Sequence, residues 1–167
     1  ILKESVDTAS VSIRPLYGEL SQTQQDEALA PDQFGCRRVV LATSIAQTSL
    51  TVEGVQVVID SGLLRTPRFS PRTGMARLET VMVSRSSADQ RRGRAGRLGP
   101  GYCYRLWTAR EDAGLAAQDM PEILVTDLTQ LRLELAAWGA TDPHQLKWLD
   151  APPDAAYKQA GALLREL

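Results

Sequence analysis

Only two cysteines, Cys36 and Cys103, and a single histidine, His144, occur in the 167 residues. Two thiols do not build a disulfide scaffold. The histidine stands beside Pro143 without other ligand types nearby, so it reads as a surface residue rather than a metal ligand. No apolar run approaches bilayer length. Ile1 opens directly into polar, charged sequence, without the basic region, apolar core and cleavage site of a secretory leader. These absences point to a reducing, cytoplasmic setting with no membrane partner. Internal repeats and low-complexity tracts are missing too.

What is present suits a soluble globular domain: 43% hydrophobic and 23% charged residues, in a chain long enough for one ordinary core and a small appended module. The formal net charge of -1 conceals an uneven distribution. Residues 1–64 carry four basic and eight acidic side chains, 65–110 carry eleven and two, and 111–167 carry four and ten. Every basic residue of the middle block is arginine. Forked guanidinium donors favour fixed contacts to phosphate or carboxylate over diffuse attraction. A solvated surface laced with ion pairs is the bland alternative on charge alone.

Along the chain, residues 11–16 (VSIRPL) read as a strand followed by a turn at Tyr17-Gly18. Ser21 with Gln24 forms a capping-box start for a helix that Pro31-Asp32 ends near Ala30. The runs 38–42 and 55–60 are nearly continuously apolar, the pattern of parallel strands buried on both faces. An α/β layer architecture follows. Between them lies the hydroxyl-rich segment Thr43 to Ser49, at the carboxyl end of a strand, where open α/β sheets bind ligands. Segments 64–69 and 75–83 flank a Ser-Pro-Arg-Thr-Gly turn and predict a projecting β-hairpin bearing arginines. Residues 101–107 form a further strand, and Thr108 with Glu111 makes another capping box. Beyond Pro121, Leu124, Leu128, Leu131, Leu135 and Trp138 recur at helical spacing up to Gly139. Asp142-Pro143 opens a short helix with Leu146 and Leu149 inward, and Asp154 opens a last one through Ala160, Leu163, Leu164 and Leu167.

The segment from Ser87 to Arg97 carries the sharpest signal. Read as a helix starting at Ser87, it places Gln90, Arg94 and Arg97 at i, i+4 and i+7 on one face. Its two interior glycines would cost about 1 kcal/mol each against alanine, so close backbone approach or room for a phosphate must compensate. A guanidinium aimed at a terminal phosphate stabilises charge during phosphoryl transfer, and Gln90 suits the orientation of an attacking water. The plainer reading makes Gln90 the capping partner of Ser87 and the arginines surface ion pairs. Cys36 and Cys103 read as small apolar residues in or near strands. Trp107, Trp138 and Trp148 could stack on bases, but the spacing of Trp138 with the leucines favours a core. Tyr17 is ambiguous between core and ligand.

These residues carry a family resemblance. QRRGRAGR at 90–97 resembles motif VI of superfamily 2 helicases. ATSIAQTSLTV at 42–52 with VVIDSG at 57–62 resembles motif V of their DEAH-box branch, and RPLYGEL at 14–20 its motif IV. The tail from Met120 to Pro153 is similar to the start of the winged-helix and ratchet region of bacterial HrpB-type members. Three departures stand out: Gln47 where glutamate is usual, Glu53 where aspartate is common, and Leu29 where eukaryotic relatives often carry an adenine-stacking aromatic.

The resemblance implies a second RecA-like domain of the P-loop NTPase type over 1–119, lacking its first strand. Its sheet would be mostly parallel with a projecting hairpin, and residues 120–167 would begin a helical winged-helix region. It implies ATP and Mg2+ held mainly by a first motor domain of the same polypeptide. Arg94 and Arg97 would meet the γ-phosphate and Gln90 the hydrolytic water. Ser49, Glu53 and Leu29 would lie at the nucleotide, while Gly18, Thr43 and Ser44 would hold RNA backbone, with DNA as a second candidate. The hairpin would help keep strands apart. A glycine-lysine phosphate loop and a DEAH acid motif are absent from the 167 residues, so the expected activity is 3′ to 5′ RNA unwinding by the full-length enzyme and none by this piece. A non-catalytic nucleic-acid adaptor is the second reading. A protein-interaction module built on the 124–138 helix is a third, and it leaves the glycine-arginine spacing unexplained.

Overall fold

A computed structural model describes residues 10–31, 35–48, 52–70, 73–97, 99–140 and 142–166. The chain divides into two compact units. One comprises residues 1–62 and 83–117, and the other 63–82 and 118–167.

In the first unit, strand β1 (Val11–Leu16) pairs in parallel with β2 (Arg37–Ala42). Helix α1 (Gln22–Leu29) crosses between them, starting at the predicted capping box of Ser21 and Gln24. Leu16, Ala28 and Val52 are buried together, with Leu29, Val40, Ile45 and Val55 against them. The one-turn helix α2 (Ile45–Thr48) follows β2 directly. Strand β3 (Val57–Asp60) pairs in parallel with β6 (Tyr102–Arg105). Helix α3 (Arg85–Arg92) lies between those two strands in sequence, and α4 (Ala109–Ala113) follows β6 from the predicted Thr108–Glu111 capping box.

The parallel pairing agrees with the apolar runs, but burial on both faces does not. Val57 and Ile59 face the same side as their register partners Tyr102 and Tyr104, and all four are exposed. Among the described residues the parallel strands form two separate pairs. Side chains alternate across a strand, so one face of the β3–β6 pair is left uncovered.

The second unit contains the predicted hairpin, with β4 (Leu63–Ser70) antiparallel to β5 (Met75–Met82). Arg68 stands opposite Arg77 in this register, and the Glu79 carboxylate lies 3.7 Å from Arg68. Like charges directly across a ladder repel, and the glutamate offsets part of this.

Leu128, Leu135, Tyr157 and Ala160 make the core of this unit, contributed by α5 (Thr129–Ala137) and α6 (Asp154–Glu166). The Arg132 guanidinium lies over the Tyr157 ring at 4.5 Å. The predicted 124–138 helix is shorter than its leucine spacing suggests. The Asp127 carboxylate accepts the Thr129 N–H at 2.8 Å and opens the helix there, while Gly139, at φ +89, closes it. Leu124 and Trp138 therefore fall outside the helical stripe, and Trp138 is exposed rather than in the core.

Leu146 packs inward as predicted, but Leu149 is fully exposed, because the helix opened by Asp142 is a single 3-10 turn, Pro143–Gln145. Leu163 is exposed too, and Tyr157 takes the inward position instead. Leu167 lies outside the described residues. His144 is exposed and meets Asp154 at 3.0 Å.

Candidate nucleotide and nucleic-acid site

Register places two sets of predicted residues at one edge. Leu16 and Ala42 are partners at the carboxyl ends of β1 and β2. Gly18 lies two residues beyond the first, and Thr43 and Ser44 follow the second. The Thr43 N–H donates to the Leu16 carbonyl at 3.0 Å and extends the ladder by one bond. Gly18, Thr43 and Ser44 are all exposed at this strand edge, which is where parallel α/β sheets receive ligands.

The arginine segment differs from its predicted form. Helix α3 begins at Arg85, two residues earlier than predicted, because the Ser84 hydroxyl, not that of Ser87, accepts the capping N–H, from Ser87 at 3.1 Å. It ends at Arg92, with Gly93 as its C-cap, and residues 93–96 form turns. Gly93 and Gly96 thus lie past the helix, and the helix-interior cost assigned to them does not arise. Arg94 and Ala95 still donate backwards to the Arg91 and Arg92 carbonyls at 3.1 Å each. Arg97 is therefore not on a continuous helical face with Gln90.

A side chain from α2 organises this segment. The Gln47 carboxamide donates to the Ser87 hydroxyl at 2.6 Å and to Gln90 Oε1 at 3.3 Å, and accepts from Arg91 Nε at 3.1 Å. The Arg94 guanidinium donates to the Gln47 backbone carbonyl. Arg91 continues to Asp60, donating from Nη1 at 2.8 Å to a carboxylate that also accepts the Gly62 N–H at 3.0 Å. Asp60 is buried at the end of β3, and its second oxygen has no hydrogen-bond partner among the described residues. The two motif segments 42–48 and 90–97 are thus one hydrogen-bonded assembly.

Burial and, secondarily, the like charge of Arg97 lower the pKa of Arg94. A like charge beside a partly buried guanidinium disfavours its charged form, a cost that an approaching anion would relieve. On the opposite side of α3, Arg105 bridges Asp89 at 2.8 Å and Asp112 at 3.0 Å. Burial opposes its charge, and the Asp89 and Asp112 carboxylates outweigh that and raise its pKa. Arg105 serves the structure by this pairing.

Gly101 keeps the Arg94–Arg97 turn in place from behind. A Cβ there would lie 2.0 Å from the Ala95 carbonyl oxygen and 2.9 Å from its Cβ. Since Ala95 is buried, its backbone would have to give way. Gly101→Ala is expected to destabilise the protein by about 1–3 kcal/mol, the usual cost of overpacking. Thermal unfolding measures this, and an unchanged midpoint would refute the close approach.

Leu29 and Glu53 are joined by a residue not singled out in the sequence. The Arg38 guanidinium donates to the carbonyls of Leu29 at 2.7 Å and Glu53 at 2.8 Å, and also to that of Ala30. Arg14 adds bonds to Glu27 and Ala30 carbonyls at 2.6 and 3.0 Å. The last carbonyls of α1 lack helical partners, and cations satisfy them. Ser49 lies outside the described residues. Among the described residues no group of three acidic, histidine or cysteine side chains could hold a metal, and no helix is long and apolar enough to cross a membrane.

Known proteins resemble this chain in sequence and fold. Residues 1–99 match the family described as helicase conserved C-terminal domain. Over 159 residues, 95% of the chain, the sequence is 48% identical to the ATP-dependent RNA helicase HrpB of Escherichia coli, of which it covers 20%. The mouse protein named "Probable ATP-dependent RNA helicase DHX34" is 36% identical over 92% of the chain and 13% of its own length. A crystal structure of the Escherichia coli DEAH/RHA helicase HrpB superposes with a TM-score of 0.92 at 47% identity, over 98% of this chain and 21% of that one. The chain spans about a fifth of the length of the HrpB proteins it matches, and the architecture is RecA-like.

Proposed function

Because the chain belongs to the helicase conserved C-terminal domain family, in the branch that includes HrpB, we propose that it is the second motor domain of an ATP-dependent RNA helicase. The observation that carries this reading is the assembly built on Gln47, which ties Arg94 and Gln90 to the segment bearing Thr43 and Ser44. A phosphate contact at one end of α2 and a nucleic-acid contact at the other would then be a single helical turn apart. That is the coupling a nucleotide-driven motor requires.

In this reading Arg94 and Arg97 meet the terminal phosphate of ATP, and Gln90 orients the attacking water. Ser49, Glu53 and Leu29 border the nucleoside, and Arg38 holds the last two in register. Gly18, Thr43 and Ser44 hold the RNA backbone, and DNA is a second substrate to be tested. ATP with Mg2+ supplies the phosphoryl group to be cleaved, and both are held mainly by a first RecA-like domain of the same polypeptide. The domain extends over residues 1–119, and 120–167 begin the winged-helix region. The direction of travel is 3′ to 5′, and the setting is cytoplasmic.

The complete polypeptide is expected to hydrolyse ATP faster when single-stranded RNA is added and to unwind duplexes with a 3′ overhang, whereas the isolated chain does neither. Robust turnover by the isolated chain would refute the division of the site between two domains. RNA binding that weakens with salt and is indifferent to ATP in the complete polypeptide would instead favour a non-catalytic adaptor.

A further inference from the structure

The polarity of the Gln47 network can be read without ambiguity. A guanidinium N–H can only donate, so the Gln47 atom 3.1 Å from Arg91 Nε is its oxygen. The other end of that amide is therefore NH2, and it donates to the Ser87 hydroxyl and to Gln90. The Gln90 atom that receives this bond is in turn an oxygen. Each amide in the row is oriented by the one before it, starting from an arginine that is itself held by the buried Asp60.

The last member of the row is the one with chemical consequence. With its oxygen turned to Gln47, Gln90 presents its NH2 end away from the network. Among the described residues Gln47 is its only side-chain hydrogen-bond partner. An NH2 group donates to lone pairs, whereas a group that orients water for attack accepts its proton and leaves the lone pair free for phosphorus. In this arrangement Gln90 offers the less productive end of its amide to an incoming water.

We propose that Gln47 is a positioning residue that sets the amide orientation of Gln90 and thereby restrains ATP turnover. The inference rests on the water-orienting role given to Gln90 above. A carboxylate at position 47 would reverse the row. It still accepts from Arg91 Nε, and it offers its other neighbours only acceptor oxygens. Gln90 must then turn its NH2 inward, which leaves its oxygen facing outward.

The test is Gln47→Glu in the complete polypeptide, alone and combined with Gln90→Ala, with RNA-stimulated ATP turnover as the readout. Gln47→Glu is expected to raise kcat about threefold or more, with KM for ATP within about twofold of the parent's. In the Gln90→Ala background the same substitution is expected to change kcat by less than about 1.5-fold. A merely structural role for Gln47 predicts no rise, and a purely electrostatic effect on Arg94 predicts the same rise in both backgrounds. Either result would overturn the proposal. So would a Gln47→Glu protein that fails to fold, since the reversed row requires that a carboxylate satisfy the same neighbours. Gln90→Ala alone separates the two levels: an unchanged kcat removes the water-orienting reading, while a lowered kcat, together with a Gln47→Glu single variant whose kcat equals the parent's, removes only this inference.

Discussion

Replacing Arg94 by alanine in the complete polypeptide is expected to lower ATP turnover by about a thousandfold while nucleotide binding stays measurable, the scale on which a well-placed guanidinium acts in phosphoryl transfer. Charge on the transferring group spreads over three oxygens, and a fixed donor there acts mainly on the transition state. Arg94 is fixed in that sense. One of its nitrogens is held by the Gln47 carbonyl, and its pKa is lowered by burial and by Arg97. It remains cationic at any working pH, and its partial burial weakens the solvent screening of that charge. An anion brought against it gains more than it would from a solvated arginine. Arg94→Lys keeps the charge and loses the planar fork, and it should recover only a small part of the rate. Turnover within tenfold of the parent's in Arg94→Ala would remove Arg94 from the reaction.

The second large effect is on stability. Asp60→Ala should cost about 3–5 kcal/mol, the usual penalty for removing one partner of a buried ion pair. Asp60 and Arg91 have side-chain exposures of only 2% and 16%, so solvent does little to screen the loss. The substitution removes the carboxylate to which Arg91 donates and the acceptor of the Gly62 N–H. For a protein of this size the melting midpoint should fall on the order of 10 °C. Asp60→Asn retains the shape and one acceptor and should fall less. Equal midpoints for Asp60→Ala and the parent would show that Arg91 finds another partner. Because Arg91 also holds Gln47, the alanine variant is expected to lose turnover as well as stability.

Much of this site could be read from local chemistry. The capping boxes at Ser21 and Thr108 form from residues three apart, and both stand as predicted. The hairpin followed from its turn residues, and the parallel strands from their apolar runs. The sequence pattern extends α3 to Arg97, because helical spacing persists across any run of suitable residues, whereas the helix ends at Arg92. Gly93 stops the helix, and only the backbone reveals it. Trp138 and Leu149 were misplaced for a related reason: each sits just past the end of a helix shorter than its apolar spacing implies. Gln47, Arg38 and Asp60 were harder to find. Their partners are tens of residues away, on elements whose adjacency depends on the fold. A lone carboxylate closing the apolar run VVID was the one cue available, since a charge in such a place calls for a partner.

The pairing of β3 with β6 carries one more implication. Val57 meets Tyr102 across 45 positions of chain, an excursion that contains the entire β4–β5 hairpin. Closing a loop costs entropy only as the logarithm of its length, so ten further residues in the hairpin would add about 0.2 kcal/mol to that closure. The element proposed to part nucleic-acid strands can thus lengthen, shorten or change its tip over evolutionary time at almost no thermodynamic expense to the unit that carries the arginines.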